Sequence, residues 1–186
     1  MVDWVHAVET AYVAAATGAP RPPSTATTPR ALAAAGAVAS HFLAVGTPRS
    51  FALIGGDDAA HSLHAHRAWF APTDLRCTSP SLAAALGGRA VPLAEALAAD
   101  IVCVHVPLAI AAAQLRRGTH INALAPVELD DELRALATVV DEPYGLPALA
   151  AGLVDGRQLD ELTVFIAGDA AIAAAALQSR IGSSPR

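Results

Sequence analysis

Phe51–Ser62 reads FALIGGDDAAHS, and its glycines and acids are the residues with phosphate chemistry in reach. A short apolar run that ends in Gly-Gly and enters a helix is how a dinucleotide-binding βαβ unit opens. In the pattern G-x-G-x-x-G/A, the first glycine makes the tight turn and the second lets backbone approach the diphosphate. The third position keeps the helix close to the sheet. Gly55 and Ala60 meet the first and third positions, but Asp57 stands at the second. A carboxylate there takes the place of a phosphate and repels its charge, and Asp58 adds another negative group. Aspartate at a helix start is otherwise well placed, because it caps free N–H groups. On like-charge grounds the favoured reading is that the two aspartates fill the anion site themselves. The alternative is a shifted loop built on Gly56. If a nucleotide binds, the residues expected to meet it are Gly55, Gly56, Asp57, Ser79 and His105.

The tip of the next strand is the second diagnostic. An NAD site sets Asp or Glu there, and an NADP site sets Arg. Thr78-Ser79-Pro80 supplies neither, and Arg76 lies within the strand. The expectation is therefore no cofactor, with NAD or NADP only if the loop has rearranged. His61–Arg67, HSLHAHR, raises a metal site. On a helix His61 and His64 share a face while His66 points away. Two histidines without a close third ligand make a weak site, so a solvated histidine face is expected, and no metal.

His105 lies near the C-terminal end of a strand, where open α/β sheets bind ligands, although a satisfied core histidine is the simpler reading. His120 and Asn122 read as structural, with Asn122 bonding neighbouring backbone. Asp130, Asp131 and Glu132 read as a charged helix start. Arg116 and Arg117 read as solvent-facing, and Trp69 and Phe70 as core or as an exposed contact. No residue is assigned a catalytic role.

The elements that must position these side chains alternate along the chain. Helices are expected over Asp3–Thr17 and from Pro29 to about Val45, joined by the proline-rich Ala19–Pro29. Strands are expected at Ser50–Ile54, Leu75–Thr78, Ile101–Val106, Thr119–Leu124 and Thr138–Val140. Helices are expected at Asp58–Phe70, Ser81–Leu86, Leu93–Ala98, Leu108–Leu115 and Glu128–Leu136. Leu162–Gln178 reads as a short strand or turn followed by an alanine-rich helix. The expected fold class is α/β, a Rossmann-like parallel sheet with helices on both faces, an N-terminal helical arm and a C-terminal helix. The expected division is 1–26 for the first helix and linker, 27–180 for the Rossmann-like domain with its flanking helices, and 181–186 for a tail. The sheet core is expected over about Arg49–Val140.

Composition narrows the function classes. The chain has 186 residues, 54% of them apolar and 16% charged, which suits one domain with a real core. A formal net charge of −5 with no basic run argues against a nucleic-acid surface. No apolar stretch reaches the roughly 18 residues a membrane helix needs. The N-terminal residues lack a basic region followed by an apolar one, so no leader is expected. Cys77 and Cys103 read as buried thiols, which fits a reducing, cytoplasmic setting. All 12 positive side chains are arginine, so chemistry through a lysine amine is excluded within this chain.

An ordered set of segments resembles the ornithine cyclodeaminase/mu-crystallin family. Arg116–Ala125, RRGTHINALA, is similar to its P-G-T-H-V-N-A-I-G strand and turn. Glu161–Ala176 resembles its E-I-T-V-F-K-S-V-G segment, Thr27–Ala44 its T-x-x-R-T-A-A helix, and Ala98–Pro107 its A-D-I-V-x-x-A-T-P strand. Trp4–Ser24 resembles its opening helix and P-P-R turn. The resemblance implies a Rossmann-like unit, a nicotinamide cofactor and amino-acid deamination.

The departures from that pattern are systematic. The family's long segment between the positions of Ser24 and Thr27 is essentially absent here. The arginine implied to grip the substrate carboxylate corresponds to Ser24, with Arg21 displaced nearby. The Asp implied to act at the substrate amine has no counterpart, because Ala125 runs straight into Pro126–Asp130. The family's K-S pair is Ile166-Ala167. The expectation is a non-catalytic scaffold or accessory subunit, a pseudoenzyme meeting another protein or its own copy. The alternative is a small NAD(P)-dependent oxidoreductase or imine reductase with a rearranged site.

Overall fold

The computed structural model describes residues 3–20, 27–142, 144–158 and 160–182. The helices are α1 (Asp3–Ala16), α2 (Pro29–Leu43), α3 (Ala60–His66), α4 (Pro80–Leu86), α5 (Leu93–Leu97), α6 (Asp131–Leu136), α7 (Gly145–Ala150) and α8 (Ala171–Gly182). The strands are β1 (Ser50–Ile54), β2 (Asp74–Cys77), β3 (Arg89–Ala90), β4 (Ile101–Val104), β5 (Leu108–Ile110), β6 (His120–Ala123), β7 (Val127–Leu129), β8 (Ala137–Asp141) and β9 (Leu162–Ile166). Seven strands form one sheet in the order β3-β2-β1-β4-β6-β9-β8, and every pairing in it is parallel. The order reverses beside β1, which makes the crevice between β1 and β4 the topological switch point.

Strand side chains alternate between two cores. Phe51, Leu53, Ile101, Cys103 and Phe165 face α1, α2, α3 and α8. Ala52, Ile54, Val102, Val104, Ile121 and Val164 face α5, α6 and the β5–β7 pair. A strand covered on both faces has no polar face, which is why β1 and β4 read as unbroken apolar runs.

Helix α2 shows what the alanine is for. Thr28 caps it, its hydroxyl accepting from Ala31 N at 3.1 Å, and Pro29 opens its first turn. Ala31, Ala33–Ala35, Gly36, Ala37–Ala39 and Ser40 are all buried, so the helix is enclosed nearly all round. Small side chains permit that enclosure. A Cβ on Gly36 would come 3.2 Å from Leu124 and 3.3 Å from Asn122, so α2 lies close against the end of β6.

Several elements differ from the sequence pattern. Leu108–Leu115 does not form a helix. Leu108–Ile110 is β5, and Ala112–Gln114 is one 3-10 turn. The expected helix Glu128–Leu136 begins only at Asp131, because Val127–Leu129 pairs with β5. Apolar spacing and alanine content favour helix in both places, but each segment finds a strand partner about twenty residues away. Asp58–Phe70 divides into a 3-10 turn, Asp57–Ala59, and the shorter α3. Leu162–Ile166 is a full strand lying between β6 and β8, so the sheet draws on residues beyond Val140. β3 and α7 have no counterpart in the sequence reading. Among the described residues no helix is long and apolar enough to cross a membrane.

Candidate functional site

The loop after β1 and the end of β4 meet at the switch point. Gly55 has φ +147°, and a Cβ there would stand 2.8 Å from His105 Cβ. Only glycine fits that approach. His105 N donates to Ile54 O at 2.8 Å, which ties the end of β4 to β1. Gly56 then starts the 3-10 turn, and a Cβ on it would meet open space. A cleft of about 210 Å³ opens here, walled by Pro29, Leu32 and Leu124 and floored by Gly56, Asp57, Asp58 and His105.

Asp57 and Asp58 are exposed, and neither side chain caps the turn. This corrects the expectation that they fill the anion site by capping. The 3-10 turn has its N-cap at Gly56, so both carboxylates fall inside the first turn and swing outward. They still bring two negative charges to the mouth of the cleft.

His105 lies partly buried with Nε2 2.9 Å from Ser62 Oγ. Burial lowers its pKa to about 4, against the raising effect of Asp58, and His61 lowers it further. It is therefore a neutral imidazole on the cleft wall. At the tip of β2, Ser79 caps α4, its hydroxyl accepting from Leu82 N at 3.3 Å and meeting Ser81 Oγ at 2.9 Å. Arg76 turns away from the tip, binding Asp74 at 2.7 Å and Glu95 O at 2.9 Å. Of the five residues expected around a nucleotide, Gly55, Gly56, Asp57 and His105 converge, while Ser79 is engaged at the neighbouring helix start.

A second cluster lies buried beneath α2. His66 is fully buried, with Nδ1 2.7 Å from Ser62 O and Nε2 2.8 Å from Ser40 Oγ. Asn122 Nδ2 donates to Ser40 Oγ at 2.8 Å, and His120 Nε2 lies 3.1 Å from Asn122 Oδ1. His120 Nδ1 lies 2.8 Å from Thr163 Oγ1. Burial pulls His66 down to about 4 and His120 to about 3, despite the opposing hydrogen bonds from Ser62 O and Asn122. Cys103 sits beside this seam, its thiol pushed up to about 12 by burial, so it is an inert thiol and not a nucleophile.

The remaining sequence candidates fall out as follows. His120 and Asn122 are core residues, but Asn122 bonds side chains and not neighbouring backbone. His61 and His64 are exposed on one face of α3, with His64 stacked on Trp4. Asp130 caps α6, accepting from Leu133 N at 2.7 Å. Arg116 and Arg117 are solvent-facing, paired with Asp100 and Asp160. Trp69 is half-buried and stacked on His41. Cys77 is buried. Ser24 and Arg21 lie outside the described residues. Sequence reasoning missed His66 and Ser40. No local signal marks them, because the partners of His66 and Ser40 come from α2, α3 and β6.

No protein-family model and no curated protein sequence matches the chain. Solved structures do. An archaeal alanine dehydrogenase dimer with bound NAD is similar at TM-score 0.69 and 22% identity, over 82% of this chain and 64% of that one. A probable ornithine cyclodeaminase from Bordetella pertussis Tohama I is similar at TM-score 0.66 and 24% identity, over 82% and 65%. The iminosuccinate reductase of Paracoccus denitrificans, in complex with NAD+, is similar at TM-score 0.65 and 24% identity, over 82% and 63%. The chain thus spans just under two thirds of their length, and at these identities the likeness shows the fold. It is the fold that the ornithine cyclodeaminase/mu-crystallin resemblance implies.

Proposed function

We propose that this chain is a divergent member of the ornithine cyclodeaminase/mu-crystallin family that does not carry out the family's deamination and acts through contacts with another polypeptide or a second copy. The observation that carries the reading is the pair of exposed carboxylates, Asp57 and Asp58, on the turn where a diphosphate would be held. Unit like charges about 5 Å apart near a surface repel by about 1–3 kcal/mol. Two such carboxylates against a diphosphate weaken binding by about 2–5 kcal/mol, which moves a micromolar cofactor toward millimolar.

The contact role has its own support. β8 is an open sheet edge, with Val139 41% and Leu136 59% exposed nearby. Tyr144 and Leu153, 75% and 66% exposed, line a groove of about 290 Å³ with Ala15, Pro147 and Ile172. Apolar side chains left on an edge and a groove are surfaces a partner covers.

A second reading, a small NAD(P)-dependent oxidoreductase or imine reductase, is favoured by the intact turn at Gly55 and by similarity to structures holding NAD. Calorimetric titration with NADH and NADPH separates the two. The first reading expects no binding by the native chain below about 1 mM and measurable binding by Asp57→Gly, which restores the glycine pattern. Micromolar binding by the native chain, with turnover of an imine or amino acid, overturns it. Sedimentation and co-purification from the native host test the contact role. A free monomer that captures nothing overturns that part.

A further inference from the structure

The buried seam has hydrogen positions that its members impose on one another. Ser62 O can only accept, so His66 Nδ1, 2.7 Å away, carries the hydrogen. A neutral His66 then accepts at Nε2, and Ser40 Oγ donates to it across 2.8 Å. Ser40 Oγ in turn accepts from Asn122 Nδ2 at 2.8 Å, which leaves Asn122 Oδ1 to accept from His120 Nε2 at 3.1 Å. A neutral His120 accepts at Nδ1, and the Thr163 hydroxyl oxygen lies 2.8 Å from it. That hydroxyl has one hydrogen and donates to Leu43 O at 2.8 Å, which also accepts from Arg157 Nη1 at 3.1 Å. One direction of donation, from His120 toward Ser62, therefore satisfies the groups between them with both imidazoles uncharged, and the single Thr163 hydrogen is shared between His120 Nδ1 and Leu43 O.

The same accounting reaches the cleft. Ser62 is buried, and the acceptor its hydroxyl meets is His105 Nε2 at 2.9 Å. The Cys103 thiol beside Ser62 is a weaker acceptor. A neutral His105 that accepts at Nε2 has its hydrogen on Nδ1. No hydrogen bond reaches Nδ1 among the described residues.

We propose that His105 presents Nδ1–H to the cleft as a fixed hydrogen-bond donor, locked by Ser62, and that the cleft takes a small neutral ligand bearing a carbonyl oxygen. The donor requires an acceptor on the ligand. Asp57 and Asp58 at the same mouth oppose carboxylate and phosphate acceptors, and His61 and the buried His66 are the other titratable groups near His105. Pro29, Leu32 and Leu124 give the ligand an apolar wall. The ligand class rests on the reading above that a dinucleotide does not occupy this cleft; the tautomer does not.

Nitrogen-15 NMR of the imidazoles in the full chain at pH 7 tests the lock. The expected result is Nδ1–H for His105 and His66 and Nε2–H for His120. His105 in the Nε2–H form overturns the proposal. In Ser62→Ala, His105 alone is expected to move to a mixture of tautomers, since His66 bonds the Ser62 backbone; an unchanged His105 overturns the lock. Acetamide is the ligand probe and acetate its anionic control. Acetamide is expected to shift the His105 resonances saturably and acetate to leave them in place. No response to acetamide, or an equal response to acetate, overturns the ligand class. Micromolar NADH binding would defeat the proposed function while leaving the tautomers, read without ligand, as they are.

Discussion

The mouth of the cleft and the seam beneath α2 are both polar, yet they obey different rules. At the mouth, Asp57 and Asp58 are exposed and no cap bond holds them, so water screens them. In the seam, Ser40, His66, His120, Asn122 and Thr163 have no measurable exposure, and each is bonded to the next. A polar group buried without a partner loses its hydration with nothing in return, so the seam stands or falls as a unit. The mouth tolerates change because solvent replaces whatever is removed. Charge at the mouth therefore governs what binds, and the seam governs whether the sheet and α2 hold together.

Acid acts most strongly on the buried histidines, those of the seam and the one on the cleft wall. His66, His120 and, on the cleft wall, His105 have folded pKa values well below the ordinary 6.5, so the unfolded chain binds protons that the fold refuses. Their contribution is fully present above pH 6.5 and is lost as the pH falls toward about 4. Between pH 6.5 and 5, above the range of ordinary carboxylates, each is expected to remove about 2 kcal/mol. Denaturant unfolding at the two pH values checks this, and a flat stability over that interval contradicts a neutral seam.

Asn122→Ala is the next largest effect. It leaves Ser40 and His120 each short of a buried partner and opens a small cavity, at a cost of about 3 kcal/mol. An effect below about 1 kcal/mol in the same unfolding assay would mean that water enters the seam. Gly55→Ala adds a Cβ at φ +147° against His105 Cβ and is expected to destabilise by about 2 kcal/mol. It should also displace His105, visible in the imidazole spectrum. Asp57→Gly comes last, within about 0.5 kcal/mol in stability because the side chain is exposed and unbonded. Its effect is on binding, where removing one like charge is expected to raise nicotinamide dinucleotide affinity about 5- to 50-fold.

Legibility in the sequence follows the same division. β1, β2, β4 and β6 were readable to within about two residues, and for β1 and β4 the reason is that a strand buried on both faces carries its apolar run in the local sequence. The turn at Gly55 was readable because backbone geometry there demands glycine. The β5–β7 pair was not, since Leu108–Ile110 and Val127–Leu129 become strands only by pairing with each other. His66 was not either. Helical spacing shows that it turns away from His61, but not that Ser40, 26 residues earlier, waits on the other side.

The chain by itself determined the alternation of strands and helices, the glycine turn and the acidic loop, because these depend on local periodicity, backbone freedom and charge. The three-dimensional packing decided which histidines are neutral, which nitrogen of each bears the hydrogen, and that the aspartates face water. Those properties depend on burial and on partners far apart in sequence, which no local pattern encodes.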